Sequence, residues 1–398
     1  VGLVGSEMCI RDRDLIGFGI VIPILPFLSP QLGATKLDIA YIVATYAVCS
    51  GICGPYWGRL SDRIGRKPVI MVCLLGAALS YMMLGLAAEL WMIYLARAFA
   101  GAMAGNFGVA SAMMADITSP EQRARGMGVI GTAWGLGMVL GPLLGGLLSG
   151  GTASFTLPCL VAGGMSLLAI GAAALFLPES LSADKRAAHR RHHRDGQRIT
   201  TYSLLTQTGN RLLVAQYVLH NACTSAVTYI FPLWAGDRLG WAAREVGVVF
   251  GIQGALIVFL QGGVLGPAVR VLGELRLLRI AISVFLLGLV LAVFASTMPL
   301  MVASVFLAMS GATLCMPLLN TITTYRTPVE FRGRMLGTSG SASAWGRVAG
   351  PLVAGANLSL FGYAGAWSGC VVIVLFYATW VFWQASSLAL SPGMQTGE

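Results

Sequence analysis

Charged residues are scarce in this chain of 398 residues, at 11% of the sequence, against roughly 25% in an average soluble domain. Apolar residues make up 56%, and a soluble protein of this length cannot hide so much apolar surface in one or two cores. The composition therefore argues against a soluble enzyme, a nucleic-acid binder or a disordered scaffold. It predicts an all-α integral membrane protein with many spanning helices.

Three further absences exclude other classes. With only three lysines, the chain has no G-x-x-x-x-G-K-[ST] loop, which argues against an ATP-driven pump. No close pair of catalytic groups, such as two aspartates or a His/Glu metal set, lies within the apolar runs, which argues against a membrane-embedded enzyme. Seven of the eight cysteines lie in apolar runs, where thiols act as small hydrophobes, and disulfides are not predicted.

Long apolar runs are what the sequence does contain. A spanning helix needs about 20 mostly apolar residues, and the runs are too long and continuous for membrane strands. The twelve predicted spans lie near 14–31, 38–57, 69–88, 90–115, 127–149, 155–177, 212–235, 245–266, 277–297, 299–325, 335–360 and 365–387.

The predicted organisation is two six-helix bundles joined by one polar segment. The predicted parts are a start at 1–13 that does not resemble a native helix, an N-terminal bundle at 14–177, a basic linker at 178–211, a C-terminal bundle at 212–387 and a tail at 388–398. We interpret 1–13 as a truncation, an added segment or a sequence error. The linker contains HRRHHRD at 189–195, which we interpret as a solvated basic stretch and alternatively as a metal-binding one.

The positions of Lys and Arg predict the orientation. Of the 26 basic residues, 19 lie in the loops that follow even-numbered spans, and three lie in the opposite loops: Lys36, Arg238 and Arg244. This bias places both termini and the linker in the cytoplasm, and explains the net charge of +10 without any nucleic-acid partner. At the cytoplasmic end of the fourth span, Asp116 is predicted to pair with Arg123 or Arg125 of the next loop.

The two halves of the sequence repeat each other. A shift of 209 residues places several Gly, Pro and Arg residues of the first half on identical residues of the second, including Gly141 on Gly350 and Pro142 on Pro351. A shift of 208 places Gly65 on Gly273. Two repeated six-helix units are a common plan among secondary transporters.

The segment GRLSDRIGRKP at residues 58–68 joins the second and third spans. Its glycines permit a tight turn and close helix contact, and Asp62 is an acceptor among cations at the membrane surface. The segment resembles the loop 2–3 signature of the major facilitator superfamily, which implies a conformational lock. The residues with this implied gating role are Gly58, Asp62, Arg63, Gly65 and Arg66.

A second motif, GMVLGPLLGG at residues 137–146, resembles the one associated with antiporter branches of that superfamily. Small residues four apart permit close packing, and ordinary helix packing is the alternative interpretation. Its key members are Gly137, Gly141, Pro142, Gly145 and Gly146. With DLIGFGIVIPILP at 14–26 and ARAFAGAMAG at 96–105, the chain resembles drug/proton antiporters, including tetracycline exporters, from the first span to about residue 355.

Ionisable side chains inside spans are costly, and each marks a candidate functional site. Asp14 is the only carboxylate clearly within a predicted span, which makes it a candidate proton carrier. The alternative is that the first helix is shortened and that Asp14 lies at the cytoplasmic surface of the membrane. For Arg97 the resemblance implies a role in proton coupling, with a structural ion pair as the alternative. His220 is the only histidine in a span, and an ordinary pKa near 6.5 suits proton traffic, with a hydrogen-bonded structural histidine as the alternative.

The resemblance implies that the first, fourth, seventh and tenth helices line a substrate cavity. Polar candidates for substrate contact on these helices and the eighth are Asn106, Gln216, Asn221, Tyr229, Gln253, Gln261 and Asn320. Hydrogen bonds between helices are the alternative for each. Arg347, in the eleventh span, either contacts an anionic substrate or bonds backbone carbonyls.

These features together predict a monomeric multi-pass protein of the inner membrane that is not an enzyme. The resemblance implies proton-coupled export of small amphiphilic drug-like compounds by alternating access, driven by the proton gradient, with no cofactor and no bound metal. The expected partners are the small-molecule substrate, protons and the lipid bilayer. The alternatives are efflux or uptake of sugars or other metabolites on the same fold, or a membrane receptor that does not transport.

Overall fold

A computed structural model of the chain describes residues 17, 19–21, 23–117, 136–137, 139–149, 155–180, 208–327 and 332–388. Within these ranges the regular structure is helical, and no strand occurs. The helices are α1 (residues 17–31, apart from 18 and 22), α2 (Lys36–Ile64), α3 (Arg66–Gly85), α4 (Leu90–Ala102), α5 (Asn106–Ile117), α6 (Val139–Ser149), α7 (Thr156–Phe176), α8 (Thr208–Leu239), α9 (Ala243–Phe259), α10 (Leu265–Leu272), α11 (Glu274–Phe294), α12 (Met298–Arg326) and α13 (Arg332–Leu388).

A helix is present in each of the twelve predicted spans, as far as the described ranges show. The backbone of α13 leaves the helical region at Gly362, where φ is 68°, and so supplies the last two spans as two helical segments. Seven of the described helical stretches are long and apolar enough to cross a membrane. The all-α, multi-span architecture predicted from the sequence is confirmed.

The chain divides into two compact units. The first contains the described residues of Val1–Arg198 together with Pro232–Val258, and the second contains those of Ile199–Phe231 and Phe259–Glu398. The boundary falls inside α8 at Pro232, so the end of α8 and nearly all of α9 belong to the first unit. Each unit is described separately below.

In the first unit, the fourth predicted span is two helices rather than one. Residues 103–105 form a turn between α4 and α5, next to Trp57 of α2. A Cβ added at Gly105 would overlap the Trp57 indole, and the indole Nε1 donates a hydrogen bond of 2.6 Å to the carbonyl of Ala102, the last residue of α4. Because this indole satisfies a carbonyl that a longer helix would have bonded, the helix ends there.

Glycines with positive φ mark the repeat in the backbone. Gly65 (φ 113°) immediately precedes α3, and Gly273 (φ 73°) immediately precedes α11. These two residues correspond at the shift of 208, and a positive φ is strained for any residue with a Cβ. The same backbone turn therefore starts the corresponding helix in each half.

In the second unit, α11 and α12 touch backbone to backbone. A Cβ added at Gly288 of α11 would overlap the backbone of Ala308, and one added at Gly311 of α12 would overlap the backbone of Ala281 and Phe285. Between helices in lipid there is no hydrophobic driving force, so the van der Waals contacts of such a close approach stabilise the helix pair instead. Between α9 and α10, residues Leu260–Val264 form a π-helical turn.

We expect Gly311→Leu to destabilise the protein by about 1–3 kcal/mol, because the added side chain forces α11 and α12 apart. Gly171→Leu on α7 is the matched control, since a Cβ there meets no atom within 4 Å. The measurement is the apparent melting temperature of each purified variant in detergent. Equal melting temperatures for the two variants would show that the contact at Gly311 does not support the fold.

Candidate functional site

Arg66 is the centre of a charge cluster where α2 ends and α3 begins. Its side chain is 6% exposed, and its Nη1 lies 2.7 Å from Asp62 Oδ1 and donates a hydrogen bond of 2.6 Å to Ser61 Oγ. Its Nε donates to Asp116 Oδ2 at 3.1 Å, at the end of α5. One buried guanidinium therefore connects α2, α3 and α5, because it pairs with one carboxylate of α2 and one of α5.

Glu179 caps the start of α3. Its carboxylate accepts hydrogen bonds from the backbone N–H groups of Arg66 (2.9 Å) and Lys67 (3.2 Å), which no residue within the helix can satisfy. A Cβ added at Gly65 would overlap this carboxylate, so a glycine is needed there for space as well as for its φ. Since Glu179 follows α7, it ties the end of α7 to the start of α3.

One detail of the loop 2–3 segment differs from the sequence prediction. Gly58 lies inside α2 rather than in a turn, and a Cβ added there would meet no atom within 4 Å, so the turn is made at Gly65 alone. Asp116 binds Arg66, since folding brings the end of α5 to the start of α3, and its predicted pairing with Arg123 or Arg125 falls on residues outside the described ones. Arg63 is exposed beside the cluster.

The glycine-proline motif has two contact faces, both within the first unit. On one face, Gly137, Gly141 and Gly145 pack on α1: a Cβ added at Gly19 would lie 2.7 Å from the Gly137 carbonyl oxygen and 2.9 Å from Gly141 Cα, and one added at Gly145 would overlap the carbonyl of Ile20.

On the other face, Pro142 and Gly146 pack on α9. A Cβ added at Gly247 would overlap the Pro142 carbonyl, and one added at Gly146 would lie 2.8 Å from the Ala243 carbonyl oxygen. The helix α6 is therefore held between two neighbours through glycine and proline. The close packing that the sequence predicted for these residues is present on both faces.

Arg97, on α4, is buried among apolar residues of the first unit. Its guanidinium carbon lies 4.4 Å from the centroid of the Tyr46 ring, which is a cation–π contact. Among the described residues, its Nε has no hydrogen-bond partner. Asp14, the carboxylate that the sequence places within the first predicted span, lies outside the described residues.

His220, on α8 in the second unit, is also buried. Its ring makes edge contacts with the rings of Phe285 and Tyr377, with centroids 6.1 and 6.0 Å away. Its Nδ1 has no hydrogen-bond partner within the described part of the chain. The imidazole therefore packs against two aromatic rings, and no described residue donates a hydrogen bond to Nδ1 or accepts one from it.

The candidates for substrate contact are only partly brought together. Arg347 Nη1 donates a hydrogen bond of 3.4 Å to Asn221 Oδ1 in the second unit. Asn320 instead accepts a hydrogen bond of 2.8 Å from the hydroxyl of Tyr217, a residue that the sequence analysis did not select although it is next to Gln216. Gln261, in the π-helical turn, is exposed.

Three further candidates are buried. Gln216 donates to the carbonyl of Leu212, but its Oε1 has no hydrogen-bond partner in the described residues. The same is true of both amide atoms of Gln253, while Tyr229 is buried on α8. The side chain of Asn106 lies outside the described part of the chain.

Comparisons with known proteins agree with this architecture. Residues 14–267 match the sequence family described as Major Facilitator Superfamily. The chain is 30% identical to the tetracycline resistance protein, class G, of Vibrio anguillarum, over 92% of each chain. It is 28% identical to the class C protein of Escherichia coli, over 91% of this chain and 90% of that one.

The same fold is present in a solved structure. The crystal structure of the human organic anion transporter MFSD10 matches 94% of this chain and 98% of its own, with a TM-score of 0.72 and 23% sequence identity. At that identity the match shows the fold alone. The described helices are therefore arranged as in known membrane transporters.

We expect Glu179→Gln to lower stability by about 0.5–1 kcal/mol, because a neutral amide replaces a carboxylate that accepts two N–H groups at a helix start. Glu274→Gln is the matched control, since Glu274 is likewise a carboxylate at a helix start that a positive-φ glycine precedes, but it accepts no hydrogen bond among the described residues. The measurement is again the apparent melting temperature in detergent. A loss of equal size in both variants would assign the effect to helix-terminus charge and not to the cap.

Proposed function

Because the chain belongs to the Major Facilitator Superfamily, we propose that it exports small amphiphilic compounds across the membrane in exchange for protons. It is a multi-pass membrane transport protein and not an enzyme. The proposed substrates are of the kind that its relatives' names indicate, namely tetracyclines.

The observation that carries the proposal is the packing of α6 on both α1 and α9. These contacts run through the residues that resemble the antiporter motif, and they leave no room for larger side chains at Gly145 or Gly146. A helix fixed so closely between two neighbours is a rigid element about which other helices can move. In the proposed cycle, alternating access exposes a central site first to one side of the membrane and then to the other.

Coupling requires that proton and substrate favour different states of the transporter. We assign the binding and release of protons in this exchange to Asp14, Arg97 and His220. A buried guanidinium such as Arg97 stabilises an ionised carboxylate and releases that stabilisation when the carboxylate is protonated. His220 Nδ1, which has no hydrogen-bond partner among the described residues, offers a second place for a proton in the other half.

The remaining parts of the proposal follow from charge and composition. The loop distribution of Lys and Arg supports an inner-membrane protein with both termini in the cytoplasm, which places the Arg66 cluster at the cytoplasmic surface. The proton gradient supplies the driving force, with no cofactor, and the proposed working unit is a monomer. The Arg66 cluster then acts as the gating element that the loop 2–3 resemblance implies.

We expect a transported compound to dissipate a respiration-driven pH gradient in inverted membrane vesicles that contain this protein. In vesicles with Arg97→Gln, the compound-dependent proton flux should fall by about tenfold or more. This expectation assigns to Arg97 a contribution of at least ~1.4 kcal/mol to the coupling between proton and substrate, which corresponds to a factor of about ten. Asp14→Asn should have the same effect. The compounds to add are tetracycline with Mg²⁺, phenicols, cationic dyes and sugars.

Arg279→Gln is the matched control for Arg97→Gln. Arg279 also lies over an aromatic ring, with its guanidinium carbon 5.7 Å from the Phe382 centroid, and its Nε also has no hydrogen-bond partner among the described residues. It lies in the first turns of α11 rather than mid-span. Proton flux that survives Arg97→Gln, or that only sugars elicit, would contradict proton-coupled drug export.

A further inference from the structure

The spans of the second half carry a positive charge and no carboxylate. Between Arg334 and the last residue, Glu398, the only charged residue is Arg347. The carboxylates of the second half are Asp237, Glu245, Glu274, Glu330 and Glu398, each outside the predicted spans or at the first residue of one. The interior of this half is therefore suited by charge to an anion.

Arg347 lies at the depth where a charge costs most. It is midway between Arg332, where α13 begins, and Gly362, where the helical backbone is interrupted, and this segment is long enough to cross the hydrocarbon core. Its side chain is nevertheless exposed. A cation exposed at mid-membrane faces water or a ligand rather than lipid, because lipid contact there costs several kcal/mol.

Close backbone packing fixes Arg347 next to α8. A Cβ added at Gly346 would overlap the carbonyl of Val218, and one added at Gly350 would overlap that of Ala222. Between these two contacts, Arg347 Nη1 donates to Asn221 Oδ1, while Asn221 Nδ2 donates a hydrogen bond of 3.0 Å to the Tyr217 carbonyl. The asparagine is thus oriented so that its side-chain oxygen accepts from the guanidinium and holds it in position.

The internal repeat shows that this packing does not require a charge. At the shift of 209 that places Gly137 on Gly346 and Gly141 on Gly350, the position of Arg347 corresponds to Met138 in the first half. The corresponding pair of glycines also contacts the first helix of its own half. An uncharged residue of similar length is therefore compatible with this helix arrangement, so the arginine serves another purpose.

We propose that Arg347 binds the carboxylate of the transported molecule, so that this chain selects anionic amphiphiles. A guanidinium is planar and can donate two parallel hydrogen bonds to a carboxylate, a geometry that neither an amine nor an ester of the same shape can accept. Asn221 holds the guanidinium in position, and the apolar surroundings bind the rest of the molecule. The inference rests on the proposed transport function and names its substrate class.

The test is ligand-induced stabilisation of the purified full-length protein in detergent. The probes are benzoate, naphthoate and anthroate, their methyl esters, and the arylmethylamines of the same ring systems, each titrated while the melting temperature is followed. We expect the protein to bind at least one carboxylate more tightly than its ester or amine. In Arg347→Met, carboxylate binding should weaken by about ten- to a hundredfold, while ester binding stays unchanged.

Two variants serve as controls. Arg279→Met removes a different arginine of the same half and should leave the carboxylate preference intact. Arg347→Lys keeps the charge but cannot donate the paired hydrogen bonds, so it should retain a smaller preference, and it replaces Arg347→Met if that variant does not fold. A purely structural role for Arg347 would weaken carboxylate and ester binding equally, which overturns the proposal.

Two more outcomes overturn the inference: an ester or amine that binds the parent as tightly as the carboxylate does, or no stabilisation by any carboxylate. Proton flux into proteoliposomes separates this failure from failure of the transport proposal. Amine-driven flux that Arg347→Met leaves intact supports proton-coupled transport and contradicts the substrate class. Carboxylate binding that depends on Arg347 but drives no flux supports the substrate class and contradicts proton coupling.

Discussion

Direct backbone contact at glycine is the interaction on which this helical structure depends. In a bilayer, an apolar side chain gains little by exchanging lipid for a neighbouring helix, so helices associate where their backbones approach closely. The contacts of α6 with α1 and α9, and of α11 with α12, are of this kind. The same contacts position the polar side chains, since Gly346 and Gly350 bring Arg347 to Asn221, and a Cβ added at Gly101 would overlap the Tyr46 carbonyl near Arg97.

The buried cations of the chain belong to two different kinds. Arg66 is paired with two carboxylates and a hydroxyl, and its cluster connects three helices where α2 ends and α3 begins. Arg97 lies deeper, over an aromatic ring, and its Nε has no partner in the described part of the chain. A satisfied cation holds a conformation, whereas one with an unused donor can respond to a proton or a ligand, which is why the two are assigned gating and coupling roles.

Hydropathy and glycine spacing predicted most of the fold. The spans follow from the length of apolar runs, and the repeated glycines at Gly65 and Gly273 mark turns that the backbone confirms. The break after Ala102 was not predictable, because it depends on an indole that another helix supplies. The cap by Glu179 was not predictable either, although a carboxylate directly after the Pro that ends an apolar run was a usable signal.

The charged residues show the same limit. The pairing of Asp116 with Arg66 was not predictable, because folding brings Arg66 to it from a different helix, 50 residues earlier in the chain. The sequence shows which polar residues lie in the predicted spans, but it could not tell which of them would meet. Asn221 and Arg347 meet because two glycines permit it, while Asn320 is bonded to Tyr217 instead.

The two contact faces of α6 also restrict how this helix can evolve. Gly145 faces α1 and Gly146 faces α9, and a larger side chain at either glycine would separate two helices. Leu140 and Leu147 are exposed, at 38% and 48%, and they lie seven residues apart on the remaining side. A substitution on that side leaves both helix contacts intact, so the freedom of this helix to vary in sequence is confined to one of its sides.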